Sequence, residues 1–421
     1  MPLYLRSRLS TRLSVGGLAA VTIVFAISDP AFATSGSFTQ GDLVVYETLG
    51  TTNAASAVNL VDYSLSPSAS SSSVPVSATA GFTVNLPTAD SSPNHALVGS
   101  GGALNDGELT DSADGQSLVA EGYDDPLATA GTGAVYSSTV PRTVGIVSPS
   151  GSVDTTTTFS GSGAGKTRSA TTAVTGGSIY TGTQDAGLGI TTDGSSTNTV
   201  LSTDDVDELQ VVDGNLYDST NKTVNQVGTG LPTTSATDTA LVTGAQEPSN
   251  FGPDQFALVS LGGGSTPNTL YVADGSNATS SGPDGVDKFS LESGVWTLTG
   301  QITVSFAVGI AVNVVNANDV NIYVTGTSPT DLPPTSSDLT TSLYGFTDAS
   351  GLDGTLNGTP AVIATAPSGD VFKGLAWAPV APGTGTPETP WAIALPVIGA
   401  VLLGGAFVVR RRRDPAVAPL P

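Results

Sequence analysis

Short apolar runs separated by turn residues form the dominant pattern of this chain. Residues 43–46, 270–273 and 310–312 are examples, and Gly, Asn, Asp or Ser lies close to each of them. Runs of this length that are rich in Val, Leu, Ile and Tyr, with turn formers around them, are typical of β-strands. The pattern therefore predicts an all-β protein in which tight turns join short strands.

One unit of this pattern recurs six times. A turn residue precedes a strand that opens on an aliphatic residue and often carries Tyr, with copies beginning at residues 41, 115, 177, 214, 268 and 319. Further short strands follow each copy, so that a unit holds four antiparallel strands, which is the composition of a β-propeller blade. We predict a β-propeller with six four-stranded blades over residues 34–379. The unequal spacing of the units leaves a count of seven open.

An apolar strand precedes each of these turns, and we expect these strands to line the axis. They cover residues 109–112, 169–174, 208–212, 256–261, 308–315 and 372–378. The last of them has no strand after it, whereas the strand at 41–46 has none before it. We therefore predict that the N- and C-terminal strands pair and close the ring, which removes exposed sheet edges from a chain that has no cysteine.

Two resemblances follow from these segments. The Leu-Tyr-Val-Ala-Asp segment at 270–274, next to an inner-strand pattern, resembles the NHL and related six-bladed propellers over about residues 41–379. This resemblance implies a fold and not a function. The C-terminal tail resembles the sorting signals of bacterial surface proteins, although Thr-Pro-Glu-Thr-Pro at 386–390 departs from the Leu-Pro-x-Thr-Gly pattern of sortase substrates.

Both ends of the chain carry export and membrane signals. Residues 1–33 combine arginines, an apolar stretch and Ala31-Phe32-Ala33, as a cleavable signal peptide of the general export pathway does. A Pro-, Gly- and Thr-rich linker at 380–390 leads to an apolar segment at 391–409, long enough for one transmembrane helix. The basic tail at 410–421 is expected in the cytoplasm. We predict a single-pass cell-membrane protein with its propeller outside the cell.

The charge of the chain limits its partners. The formal net charge is −23, and between residues 34 and 390 there are 34 acidic residues against six basic ones, a charge of −28. Such a field repels nucleic acid and anionic lipid head groups. Cations or a basic partner suit it better.

Several acidic groups are candidate metal ligands. We place Asp274, Asp284 and Asp287 first, because a Gly-rich hairpin between adjacent strands brings them together, and calcium is the cofactor that such oxygen ligands favour. Solvated turn residues are the alternative interpretation, because no known calcium-loop spacing is matched. The only histidine, His95, has no second histidine to share a metal, so we assign it a structural role.

These observations favour a non-enzymatic propeller that binds an extracellular protein, glycan or cation as an adhesion or surface-display module. A calcium-dependent hydrolase or lyase with an axial site is the alternative. A structural component of a surface layer or stalk fits the acidic surface and the linker equally well. The first two differ in one respect, since an enzyme needs several titratable groups that converge in one pocket.

Overall fold

The computed structural model describes residues 36–383 except 73, 138, 161–165, 276–283 and 328–339, and the regular elements of this part are β-strands apart from one short 3-10 helix. The first strands are β1 (Leu43–Leu49), β2 (Ala55–Ser66), β3 (Ser77–Asn85), β4 (Gly99–Ser100), β5 (Leu109–Asp111), β6 (Leu118–Tyr123), β7 (Arg142–Val147) and β8 (Val153–Phe159). The next are β9 (Thr167–Thr172), β10 (Ser178–Thr183), β11 (Gly187–Thr192), β12 (Thr199–Val200), β13 (Val206–Val212), β14 (Asn215–Thr220), β15 (Val224–Val227) and β16 (Asp238–Ala240). A short 3-10 helix (Gly244–Gln246) precedes β17 (Pro253–Val259), β18 (Thr269–Asp274), β19 (Gly285–Glu292), β20 (Val295–Thr303), β21 (Ile310–Val314), β22 (Val320–Thr327), β23 (Thr341–Asp348), β24 (Ala361–Thr365) and β25 (Val371–Trp377).

These strands form the six four-stranded blades that the repeats predict. Blade 1 has the order β25-β1-β2-β3, with the short β4 beside β2. Blades 2 to 6 are β5–β8, β9–β12, β13–β16, β17–β20 and β21–β24, each in sequence order and antiparallel. Each of the six predicted Tyr-containing repeats is the second strand of a blade.

The inner strands are the ones that the sequence places at the axis. β5, β9, β13, β17, β21 and β25 contact one another in turn around the ring. Their bounds differ from the predicted ones by a few residues, because pairing with the second strand, and not hydrophobicity alone, decides where a strand begins. Seven apolar clusters form the core of the described residues, and six of them lie one between each pair of neighbouring blades.

Two hairpins show why the turn residues predict strand ends. Asp213 and Gly214 join β13 to β14 with φ values of 50° and 72°, and Ser293 and Gly294 join β19 to β20 with φ values of 51° and 84°. Two consecutive positive φ angles are the property of the type I′ turn that matches strand twist. Gly at the second position adopts such an angle without the steric cost of a Cβ atom.

The ring closes through the pairing of the first and last strands. β1 runs antiparallel to β25, with Val44 opposite Ala376 and Val45 opposite Leu375. Trp377, at the end of β25, donates its indole N–H to the carbonyl oxygen of Val312 in blade 6 (3.2 Å). Blade 1 therefore consists of three N-terminal strands and one C-terminal strand, as predicted, and the last strand also contacts the preceding blade.

Two buried lysines link neighbouring blades. Lys288 of blade 5 pairs with Asp348 of blade 6 at 2.9 Å, and both side chains are fully buried. Lys373 of blade 1 pairs with Asp106, which precedes blade 2, and also donates to the carbonyl oxygen of Ser100. Because each ammonium group lies in a low-dielectric core, removal of one partner leaves an uncompensated charge. These contacts connect blades in a chain that has no disulfide bonds.

The side-chain amide of Gln255 in β17 forms hydrogen bonds with several inner strands near the axis, and the residue is 1% exposed. Its Nε2 donates to the carbonyl oxygen of Leu109 (2.9 Å) and to Oε1 of Glu208 (3.1 Å). Its Oε1 accepts from the backbone N–H groups of Ile310 (3.1 Å) and Leu375 (2.8 Å). These partners belong to β5, β13, β21 and β25, so one amide joins five of the six inner strands.

The predicted terminal segments lie outside the described residues. These are the signal peptide at 1–33, most of the linker at 380–390, the membrane segment at 391–409 and the basic tail. In the part of the chain that the structure describes, no helix has the length and apolar character needed to cross a bilayer.

Replacing Gln255 with Met tests whether the hydrogen bonds of this amide stabilise the ring. Methionine keeps the volume but leaves the buried N–H groups of Ile310 and Leu375 without an acceptor, at about 1–3 kcal/mol for each. We expect Gln255→Met to lower the free energy of unfolding by about 3 kcal/mol, measured by chemical denaturation. Gln40→Met, at an exposed glutamine, is the control and should have little effect. Equal stability of the two variants would contradict a central role for Gln255.

Candidate functional site

A group of buried carboxylates surrounds one end of the propeller axis. Glu108 directly precedes β5, Asp207 and Glu208 lie near the start of β13, and Asp254 lies near the start of β17. All four side chains are buried. Because every blade has four antiparallel strands, each inner strand starts at the same end of the ring. We call these four residues the axial carboxylate cluster.

Glu108 is the most unusual member of this cluster. It is 0% exposed, and within the described part of the chain neither of its carboxylate oxygens has a hydrogen-bond partner. Burial raises the pKa of Glu108 well above its usual range, and the neighbouring carboxylates of Asp254, Glu208 and Asp207 raise it further, while Arg168 lowers it. A buried carboxylate without a hydrogen bond is costly, so Glu108 is a position where a ligand would relieve an existing penalty.

Glu208 has the opposite character, because its oxygens are fully engaged. Oε2 accepts from the backbone N–H of Phe256 (2.6 Å), and Oε1 accepts from the side chains of Gln210 (3.0 Å) and Gln255 (3.1 Å). Burial raises the pKa of Glu208 to about 8, and these hydrogen bonds oppose that shift. Glu208 therefore links the axial carboxylate cluster to Gln255 and to the backbone of β17.

Arg168 is the buried cation of this region. Its Nε lies 3.2 Å from Oδ1 of Asp207, its Nη2 lies 3.7 Å from Oδ1 of Asp205, and its Nη1 donates to the carbonyl oxygen of Asn105. Burial opposes the charge of Arg168, but Asp207 and Asp205 outweigh that effect and raise its pKa. Burial likewise raises the pKa of Asp207 to about 7, even though Arg168 lowers it. Among the four residues of the axial carboxylate cluster, the guanidinium of Arg168 therefore pairs with Asp207.

Two of the three aspartates proposed from the sequence adjoin this cluster. Asp274 ends β18 opposite Pro253, the neighbour of Asp254, and Asp287 follows in β19. Both side chains are buried, at 2% and 1% exposure. Burial raises the pKa of Asp287 well above its usual range, and the charge of Asp274 and a hydrogen bond between the two carboxyl groups raise it further. Asp254, Asp274 and Asp287 thus form a row across three adjacent strands.

Asp284 lies one residue before β19 at the end of the same hairpin. Its carbonyl oxygen accepts from the backbone N–H of Val304 (3.3 Å). Asp287 accepts a hydrogen bond from Gln301 (2.7 Å), and Asp274 accepts one from the backbone N–H of Gly252 (3.1 Å). The hairpin therefore brings Asp274 and Asp287 into contact and places Asp284 at its loop end.

Sequence reasoning missed Glu108 and Asp254, although a signal for both is present. Glu108 directly precedes β5, and Asp254 is the second residue of β17, as Asp207 is of β13. Acidic residues near the starts of several inner strands indicate carboxylates around one end of the axis. That comparison requires the true strand starts, which lie up to three residues from the predicted ones.

The raised pKa values predict that acid stabilises the metal-free fold. A carboxyl group whose folded pKa exceeds its unfolded pKa binds more protons in the folded state, so the free energy of unfolding falls as pH rises through this range. With the pKa of Asp207 at about 7 and that of Glu208 at about 8, this loss occurs between pH 4 and pH 8. We expect the melting temperature in a chelator to be higher at pH 5 than at pH 8 by roughly 5 °C.

Two glutamine variants test this pH dependence, one in the axial carboxylate cluster and one as an exposed control. Glu108→Gln removes an ionisable group that has no hydrogen bond to lose, so it should raise the melting temperature at pH 8 and reduce the difference between the two pH values. Glu292→Gln changes an exposed glutamate and should leave both values as they are. A higher melting temperature at pH 8 than at pH 5 in the unmodified chain would contradict the interpretation.

Comparison with known proteins does not place the chain in a family. No protein-family model matches it, and no curated protein sequence matches it. Among solved structures it is similar to Kuenenia stuttgartiensis hydrazine synthase, with 11% identity and a TM-score of 0.37. The alignment covers 61% of this chain and 66% of that chain, which is under two thirds of its length. A likeness of this size assigns neither an activity nor a ligand.

Proposed function

We propose that this propeller is a cation-binding module and that calcium binds at the axial carboxylate cluster. Glu108 carries the proposal, because it is fully buried, has no hydrogen-bond partner among the described residues and is surrounded by other carboxylates. A divalent cation would neutralise these charges and coordinate their oxygens. Arg168 supplies only part of that neutralisation, since it is paired with Asp205 and Asp207.

The chemistry of the cluster favours calcium over softer metals. Its side chains offer oxygen and no imidazole or thiolate, and calcium accepts six to eight oxygens in flexible arrangements that include water. We propose Glu108, Asp207 and Asp254 as its ligands, with water molecules completing the coordination, because among the described residues their carboxylate oxygens do not all lie within 4.8 Å of one another. We propose Asp274 and Asp287 as the outer part of the same cation-binding region, because the row from Asp254 to Asp287 is continuous with the cluster, and Asp284 as a further acidic group at the loop end of their hairpin.

We infer that this module is displayed outside a bacterial cell as an adhesion or binding unit. The signal sequence at 1–33 and the apolar segment at 391–409 with its following arginines support that location. Of the six basic residues between 34 and 390, four are buried, Lys166 is half-buried and Lys222 is exposed, so the described surface is strongly acidic. An extracellular protein or glycan, bridged or ordered by cations, is the partner that fits this surface.

A calcium-dependent hydrolase or lyase is the second candidate. One observation favours it, namely that Glu108 is an axial carboxyl group whose pKa is raised well above its usual range by burial first of all. A carboxyl group with a raised pKa suits a general acid. Turnover of glycan or lactone substrates that is lost in Glu108→Gln would support the enzyme, whereas calcium binding without turnover supports the binding module.

Calorimetric melting of the full chain in detergent micelles tests calcium binding. Sites of extracellular proteins have dissociation constants of about 10⁻⁴–10⁻³ M. At 10 mM calcium we therefore expect the melting temperature to rise by roughly 3–5 °C relative to chelator, since a ligand that binds only the folded state stabilises it.

Matched variants assign the shift to the axial cluster. Glu108→Gln and Asp254→Asn should lose most of the calcium-dependent rise, although Glu108→Gln is more stable than the unmodified chain in chelator. The exposed control Glu292→Gln should retain the full rise. If calcium leaves the unmodified chain unchanged, or shifts Glu108→Gln by the same amount, the axial site is wrong.

A further inference from the structure

A second group of ligand atoms lies away from the axis, at Asp90, His95 and Asp124. Asp90 and His95 belong to the connection between β3 and β4, and Asp124 directly follows β6. One side-chain atom of each residue lies within 4.8 Å of the others. In the described part of the chain this is the group of His, Cys, Asp or Glu side chains that converges closely enough to hold a metal ion.

His95 and Asp124 contact each other through side-chain atoms that can bind a metal ion. Nδ1 of His95 lies 3.2 Å from Oδ2 of Asp124. Zinc–nitrogen and zinc–oxygen bonds are about 2.0–2.2 Å long, so two atoms bound to one tetrahedral zinc ion lie about 3.4 Å apart. The observed separation is close to that value.

Asp90 places a second carboxylate next to His95 and Asp124. Burial raises the pKa of Asp124 to about 6, and a hydrogen bond with Asp90 and the charge of Asp90 raise it further, while His95 lowers it. Two carboxyl groups in such close contact repel each other when both are ionised. A bound cation would remove that repulsion and take the imidazole nitrogen of His95 as a ligand at the same time.

The backbone around the group is fixed to blade 2. Oδ1 of Asp90 accepts from the backbone N–H of Ala96 (3.0 Å), and Oδ1 of Asn94 accepts from the backbone N–H of Thr155 in β8 (2.9 Å). The hydroxyl of Thr155 donates to the carbonyl oxygen of His95 (2.7 Å). The connection is therefore held on a sheet before any metal binds, which reduces the entropy cost of binding.

We propose that Asp90, His95 and Asp124 form a binding site for one zinc ion, separate from the axial cluster. An imidazole nitrogen with two carboxylates suits zinc, whereas the all-oxygen axial cluster suits calcium. Three protein ligands leave the fourth tetrahedral position for water or for a group from a binding partner. Because His95 is 36% exposed, that fourth position is reachable from solvent.

Titration of the full chain with zinc, followed calorimetrically and without a histidine-containing tag, tests the site. We expect one zinc ion per chain, with affinity at least tenfold weaker in His95→Gln and in Asp124→Asn. Asp125→Asn, one residue further along the same loop, is the matched control and should bind zinc as the unmodified chain does. Glu292→Gln, at an exposed glutamate outside both proposed sites, should also bind zinc normally.

The single histidine gives a second readout that needs no variant. Its imidazole resonances in the unmodified chain should shift or broaden on addition of one equivalent of zinc, and a chelator should restore them. If the imidazole signals do not change when zinc is added, or if His95→Gln binds zinc as tightly as the unmodified chain, the proposed site is excluded.

Discussion

The hydrogen bonds of Gln255 are the interaction on which the arrangement of the ring depends. One amide at the axis accepts from Ile310 and Leu375 and donates to Leu109 and Glu208, so five inner strands share a single buried polar centre. A propeller without disulfides has to fix the relative positions of its blades by packing and by such contacts. The same amide also orients Glu208, so the position of the axial carboxylate cluster depends on Gln255.

Basic side chains are few, and their placement determines the electrostatics of the protein. Lys288 and Lys373 neutralise Asp348 and Asp106 between blades, and Arg168 is engaged by Asp207 and Asp205. The carboxylates that remain near the axis therefore exceed the cations that the chain itself supplies. Such an excess in a low-dielectric region has three outcomes, which are protonation, instability or the binding of an external cation. Burial first of all, together with this excess of carboxylates, raises the pKa values of Glu108 and Asp254, and the same excess supports the proposed calcium site.

The fold was largely predictable from the sequence, whereas the site was only partly so. Strand alternation and turn residues are local properties, so six blades, their second strands and the closure of β1 on β25 follow from the repeats. Asp274 and Asp287 were recognised because one hairpin joins them. Glu108 and Asp254 are 146 residues apart and meet only around the ring, and the group at His95 likewise includes Asp124 from the loop after β6. Contacts that arise from ring closure leave no signal at short spacing.

Location of the bound ion by anomalous scattering, in crystals of the full chain grown with terbium as a calcium substitute, tests directly whether a cation binds at the axial carboxylate cluster. We expect an anomalous peak at the axis, with carboxylate oxygens of Glu108 and Asp254 about 2.3–2.6 Å from it. Crystals of Glu108→Gln under the same conditions should lack that peak. Ordered density for Glu108 with no peak beside it, in crystals that bind terbium elsewhere, would exclude the axial site.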